Sequence, residues 1–291
     1  MTTNATFRLS ALLAALPLAA TTLLGSAAVQ AAEPVTSIHL YTIDCGRIEV
    51  SNMAPFSDTG EYEGKAGKVT APCFLIRHPK GNLLWDTGLG DGLAKQEKGM
   101  DNGPFHLHLE KTLAAQLADI KITPADINFV SFSHLHFDHT GNANEYAGAN
   151  TTWLLSKAEL DWANQTPTPF GVNPASITAA KTVKMVSVDG DKDVFEDGTV
   201  KILAAPGHTP GHKVLMLKLK KAGTVILSGD LYHTVENRKQ KRLPVFNTDR
   251  ADTLASMDRI ERIVKLNKAR FVIQHAPESF DSMPKFPAYL D

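Results

Sequence analysis

The stretch Ser133-His134-Leu135-His136-Phe137-Asp138-His139-Thr140-Gly141 places four groups that can bind a metal within six residues. Neutral imidazole and carboxylate are the ligands that zinc and similar divalent ions favour, and ligands must cluster to share an ion. Three later stretches carry the same residue types: Pro206-Gly207-His208-Thr209-Pro210-Gly211-His212, Ser228-Gly229-Asp230, and His275. Five histidines and two aspartates result: His134, His136, Asp138, His139, His208, Asp230 and His275. They are enough for two four-coordinate sites that share a carboxylate and a hydroxide. Sites that leave room for water are catalytic rather than storage sites, and paired cations make hydroxide available near neutral pH. The chemistry predicted is hydrolysis. No Gly-x-Ser-x-Gly is present, which speaks against a serine nucleophile on an elbow turn.

These groups need elements that bring them to one place. Each follows an apolar run that reads as a strand: Ile127 to Phe132, Thr199 to Ala204, Thr224 to Leu227, and Phe271-Val272-Ile273-Gln274. Strand ends on one rim would gather all seven. Gly141 lets the chain turn away behind the first stretch. Asp86-Thr87-Gly88 ends the strand Leu83-Leu84-Trp85, and Asp86 reads as a brace that holds the metal loop by hydrogen bonds.

The remaining pattern is α/β. Residues 36–50 and Ala71 to His78 read as strands, with His39 structural. Residues 51–70 carry Gly60, Gly64 and Gly67 and read as a long functional loop. Residues 89–106 read as a mobile flap. His106 and His108 are expected on the face of an amphipathic helix, Leu109 to Ile120. Thr123-Pro124 begins a short turn, and Ser156 caps a helix from Lys157 to about Ala163. Leu254, Met257, Ile260, Ile263 and Val264 recur at helical spacing and face the core. The tail from Pro277 is expected to lie as an extended cap.

Arg8 is the one charge before Glu33, and Leu9 to Leu24 is apolar. Val29-Gln30-Ala31 fits a signal peptidase, so residues 1–31 read as a cleaved leader and the protein as exported, periplasmic or secreted. No later run is long enough to cross a bilayer. The remaining ~260 residues, 32–291, can bury one large core as a single domain of two αβ halves. Thirty basic and 31 acidic residues nearly cancel, which argues against nucleic acid or an anionic membrane as partner. A small molecule is the expected partner; the oligomeric state is left open. Cys45 and Cys73 lie in apparent strands. An oxidising compartment permits a bridge, but two cysteines define no framework, and two buried free thiols are the expectation.

The order and spacing of His134-x-His136-x-Asp138-His139, His208, Asp230 and His275 resemble the metallo-β-lactamase superfamily, from about Ser37 to the C-terminus. That resemblance implies a four-layer αββα sandwich and a dinuclear centre. It assigns His134, His136 and His208 to one metal and Asp138, His139 and His275 to the other, with Asp230 bridging. His212 matches a frequent position that is not a ligand. Within the superfamily, the first motif, Leu40-Tyr41, Gly46-Arg47 and Thr234-Val235-Glu236-Asn237 look most like N-acyl-homoserine lactonases, the quorum-quenching enzymes. Those lactonases commonly place a tyrosine three residues after the bridging aspartate. Here His233 stands there and Tyr232 precedes it. The leader also departs from the cytoplasmic members.

The expected reaction is attack of the bridging hydroxide on a lactone carbonyl. Tyr232 or His233 would stabilise the oxyanion and Asp138 would pass a proton to the leaving alkoxide. The acyl chain would lie near Met100, Phe105 and Phe170. Zinc suits the ligands, as do iron, manganese and cobalt. The same site would serve a β-lactamase, or an organophosphate or aryl-ester hydrolase with a wider, aromatic-lined pocket. A mono-iron thiol dioxygenase usually lacks the full second set of ligands.

Overall fold

A computed structural model describes residues 1–3 and 33–291. The expected leader and its cleavage point after Ala31 lie outside these residues. From the N-terminus the elements are β1 (His39–Val50), β2 (Gly67–His78), β3 (Gly81–Trp85), β4 (Met100–Asn102), β5 (Phe105–His108), α1 (Leu113–Asp119), β6 (Phe129–Ser131), α2 (Phe137–Thr140), β7 (Thr152–Leu155) and α3 (Lys157–Ala163). They continue with β8 (Lys184–Ser187), β9 (Lys192–Asp193), β10 (Val200–Ala204), β11 (Lys213–Leu219), β12 (Gly223–Leu227), α4 (Val235–Gln240), α5 (Arg250–Asn267), β13 (Arg270–Val272), α6 (Pro277–Asp281) and β14 (Tyr289–Leu290).

Two sheets stack face to face. The first runs β4-β5-β1-β2-β3-β6-β7-β8, with β14 added to the start of β1; the second runs β13-β12-β11-β10-β9. Leu40, Phe74, Ile76, Leu83 and Trp85 of the first meet Ile202, Leu215, Leu217, Val225 and Leu227 of the second. Burying a side chain of this size is worth about 1.5–3 kcal/mol, so this interface carries much of the stability. The outer face of the first sheet (Leu75, Leu84, Val130, Trp153) packs on Leu113 and Leu117 of α1. The outer face of the second (Leu203, Val214, Ile226) packs on Met257 and Ile260 of α5. The order is helix, sheet, sheet, helix, as expected. Amphipathic elements dictate it, because each sheet has two apolar faces and each helix one.

Local signals behave as read at several points. The Ser156 hydroxyl accepts from the Glu159 amide and starts α3. Thr123 and Asp126 form a reciprocal cap around Pro124–Asp126. Other expectations need correction. Residues 89–106 do not form a loose flap: a 3-10 turn, Asp91–Lys95, precedes the hairpin β4–β5, which adds to the edge of β1. His106 and His108 therefore sit on a strand, not a helix face. The helix starts later than read, because Thr112 caps it and Asp91 accepts from the Leu113 amide. The polar stretch 51–70 holds a 3-10 turn, Ala54–Phe56, and ends as β2. The tail is partly ordered as α6 and β14, with Tyr289 stacked on His39 at 3.9 Å.

Cys45 and Cys73 are not free thiols. They form a disulfide between β1 and β2, with Cα atoms 5.6 Å apart. Antiparallel pairing of these strands brings the two within the reach of a bridge, which linear order could not reveal.

Candidate metal centre

The C-terminal ends of β3, β6, β10, β12 and β13 open on one rim, and the residues just beyond them face one another. His134 Nε2 and His136 Nδ1 are 2.9 Å apart, and His208 Nε2 is 3.2 Å from each. Asp230 Oδ2 lies 3.3 Å from His208 Nε2 and 3.6 Å from His134 Nε2. On its other side, Asp230 Oδ1 lies 3.1 Å from His139 Nε2 and 2.9 Å from His275 Nε2. Asp138 Oδ2 completes this second group, 3.5 Å from His275 Nε2 and 3.8 Å from His139 Nε2. The seven residues expected to converge do so: His134, His136, His208 and Asp230 form one donor group, Asp138, His139 and His275 a second beside Asp230 Oδ1, and Asp230 and His275 form a third with His233.

The electrostatics fit divalent cations. Burial, then neighbouring imidazoles, push His134 and His136 well below the ordinary histidine range, so their lone pairs are free to ligate. Burial also opposes ionisation of Asp230, but the rings of His275, His139 and His134 outweigh it and hold the carboxyl well below its usual value. Burial would lower His139, yet Asp230, Asp138 and Asp86 raise it well above its ordinary value. These carboxylates call for positive charge at that point. Asp230 Oδ1 is buried and accepts no hydrogen bond, although two ring nitrogens lie beside it. A cation between them would satisfy all three atoms.

The other nitrogen of most of these rings is held. His139 Nδ1 faces Asp86 Oδ2 at 3.0 Å, His208 Nδ1 donates to Asn247 Oδ1 at 2.7 Å, and His275 Nδ1 donates to the Thr70 carbonyl at 2.7 Å. Such partners set ring orientation and tautomer. His212 Nδ1 donates to the Ala205 carbonyl, so its Nε2 can accept from the Asp230 amide at 2.8 Å. His212 thus aims Asp230 without joining the donor groups. Asp86 also accepts from the Ser133 amide (2.7 Å) and from Gln274 Nε2 (2.9 Å), and those bonds hold it at φ 58°. Its reading as a brace agrees with these contacts. Gly141 has a helical φ of −56°, so its role differs from the one expected. A Cβ there would stand 2.2 Å from the Leu89 backbone, and glycine is needed for close approach rather than for the turn.

Two residues proposed together part company. Tyr232 is buried among Leu203, Met216 and Met257, and its ring lies 5.9 Å from Phe271, on the helix side of the second sheet. Alternation along the extended backbone sends the next side chain the other way. His233 faces the donors: its Nε2 is 3.1 Å from Asp230 Oδ2, and its ring stacks parallel to His275 at 5.3 Å. Its Nδ1 is buried without a partner. A narrow pocket of about 40 Å³ opens above the donors, lined by Asp138, His233, Ile48 and Val69 and by Phe56, Phe105, Phe137, Phe170 and Phe246. Phe105 and Phe170 continue into an outer groove with Met100, as expected. Phe56 and Phe246 were not foreseen, because they arrive on loops distant from every motif. Glu159, Gln274 and Asn247 were also missed. Gln274 alone had a signal, its place directly before His275.

Residues 66–275 match the metallo-beta-lactamase superfamily. The N-acyl homoserine lactonase AttM of Azorhizobium caulinodans is 29% identical over 271 residues, covering 88% of this chain and 100% of that protein. AiiA, the N-acyl homoserine lactonase of Bacillus thuringiensis subsp. kurstaki, is 27% identical over 258 residues, covering 86% and 98%. Among solved structures, an N-acyl homoserine lactone hydrolase with the product N-hexanoyl-L-homoserine at its catalytic metal centre is similar at a TM-score of 0.74 and 26% identity, covering 88% of this chain and 100% of that one. The layered sheets, the donors on one rim and these likenesses agree: this chain belongs to the metallo-beta-lactamase superfamily.

Proposed function

We propose that this chain hydrolyses N-acyl homoserine lactones, opening the lactone ring with the help of two divalent cations, zinc first among the candidates. One observation carries the reading: the His134, His136 and His208 rings and the His139 and His275 rings flank Asp230 from either side at the floor of an apolar pocket. Cations held there would supply Lewis acidity at the carbonyl and lower the pKa of water. His134, His136 and His208 with Asp230 would hold one cation, and Asp138, His139 and His275 with Asp230 the other. Asp138 is partly open to the pocket and can carry a proton to the departing ring oxygen. His233 takes the place beside the carbonyl, since its Nδ1 has no protein partner and Tyr232 is turned away. The phenylalanines exclude water from the acyl chain.

Export accompanies the activity. The leader supports it, and so does the disulfide, which persists in oxidising compartments. Cell fractionation with a tagged full-length chain tests it; retention in the cytoplasm would overturn it.

The activity is tested by proton release from metal-analysed protein on a panel of acyl-homoserine lactones, with nitrocefin alongside. Turnover lost in His136→Ala supports the reading; two bound cations without lactone turnover rejects it. The five phenylalanines favour one second reading, an aryl-ester or organophosphate hydrolase. Paraoxon turnover exceeding lactone turnover would select it.

A further inference from the structure

Glu159 stands in the first turn of α3, 1% exposed, and outside the donor groups. Its two oxygens reach two different loops. Oε1 accepts from the Leu135 amide at 2.9 Å, between the ring donors His134 and His136. Oε2 accepts from the Gly211 amide at 2.8 Å, three residues beyond His208. The loops come from opposite halves of the chain, and each brings part of the first donor group. Gly211 is required for this approach, because a Cβ there would stand 2.5 Å from Glu159 Cβ. Only a carboxylate presents two acceptor oxygens and no donor.

We propose that Glu159 is a positioning residue for the first cation site: it clamps the His134–His136 loop to the His208 loop and sets the spacing of the three rings. The inference rests on the metal-centre reading above. Neither of these two bonds reaches a residue of the second group, Asp138, His139 and His275. Loss of Glu159 therefore acts on one site rather than on both. Glu159→Gln puts an amide NH₂ against one backbone N–H and breaks one bond; Glu159→Ala breaks both.

The test is cobalt(II) titration of the metal-free full chain, followed by ligand-field absorption and calorimetry. The step absent from His208→Ala identifies the first site, and the step absent from His275→Ala the second. Glu159→Gln is expected to weaken the first step about 10–100-fold, the usual cost of losing a partner that orients ligands, and to leave the second within twofold. Ser156→Ala, which removes the α3 cap but leaves the clamp, is expected to keep both steps. Should Glu159→Ala fail to fold, Glu159→Gln with an unchanged urea midpoint decides the matter. Two unchanged steps in that variant, or equal weakening of both, would overturn the proposal. A wild-type chain that takes up no cobalt would instead overturn the metal-centre reading before any variant is compared.

Discussion

The side-chain amide of Gln274 ties the two sheets together at Asp86, its Nε2 donating to Asp86 Oδ2 at 2.9 Å. Its Oε1 accepts from the Trp85 indole at 3.0 Å and from the Gly229 amide at 2.9 Å. All three partners are buried. Replacing Gln274 by leucine leaves two donors without an acceptor, a loss of about 2–4 kcal/mol. Urea unfolding in the presence of chelator measures it, and a change under about 0.5 kcal/mol would count against the network.

His233 stands in one donor group with Asp230 and His275, and its proposed partner is the substrate rather than a cation. His233→Ala is expected to keep both cations and lose about 10²–10³ in kcat, the usual cost of one oxyanion donor. His233→Tyr should recover part of the rate. If metal content falls together with rate in the alanine variant, His233 is a ligand and the assignment fails.

His212 predicts a pH dependence for the metal-free chain. Burial first, then the nearby His208, push its pKa down to about 3, and the same direction holds for His233, lowered to about 4. In the unfolded chain an imidazole takes up a proton below about pH 6.5. Through the window from about 6.5 down to these lowered values, the unfolded chain binds protons that the folded chain refuses. Stability is therefore full above that window and falls with acid inside it. The urea midpoint should drop between pH 7 and 4, and His212→Asn should flatten the slope. An equally steep slope in the variant removes His212 as a cause.

The bridge Cys45–Cys73 closes a separation of 28 residues inside one hairpin. Chain entropy assigns such a loop about 3–4 kcal/mol, and measured values spread lower. Reduction, or a Cys45→Ser and Cys73→Ser pair, should lower unfolding stability by about 2–4 kcal/mol. Equal midpoints with and without reductant would show that the bridge contributes nothing.

Phe170 is 63% exposed and borders both the pocket and the outer groove. An acyl chain long enough to pass it would cover the ring. Phe170→Ala should raise KM for a dodecanoyl lactone several-fold, in line with about 1 kcal/mol of lost apolar contact, and leave a butanoyl lactone unchanged. Equal effects on both chain lengths would place the acyl group elsewhere.

The seven donors were legible in the sequence because imidazole and carboxylate are common metal ligands and because each cluster follows an apolar strand. The strands concerned run parallel, β3 with β6 and β12 with β13, so their C-terminal ends share a rim, and residue type and position along the strand were sufficient for His134, Asp230 and His275. The α3 cap at Ser156 and the core face of α5 were legible for the same reason, since their physics spans only a few neighbouring residues. What depends on contact between distant segments had no such signal. Tyr232 and His233 are adjacent in sequence, and only the direction of the backbone after β12 decides which enters the pocket. Cys45 and Cys73 pair because β1 and β2 lie side by side. Glu159 looks like any helix-start acid until two loops from different halves place their amides on its oxygens. Sequence sets the chemistry that a side chain can do; the fold decides which partners lie within 3 Å of it, because hydrogen bonding and ligation both vanish beyond that short reach.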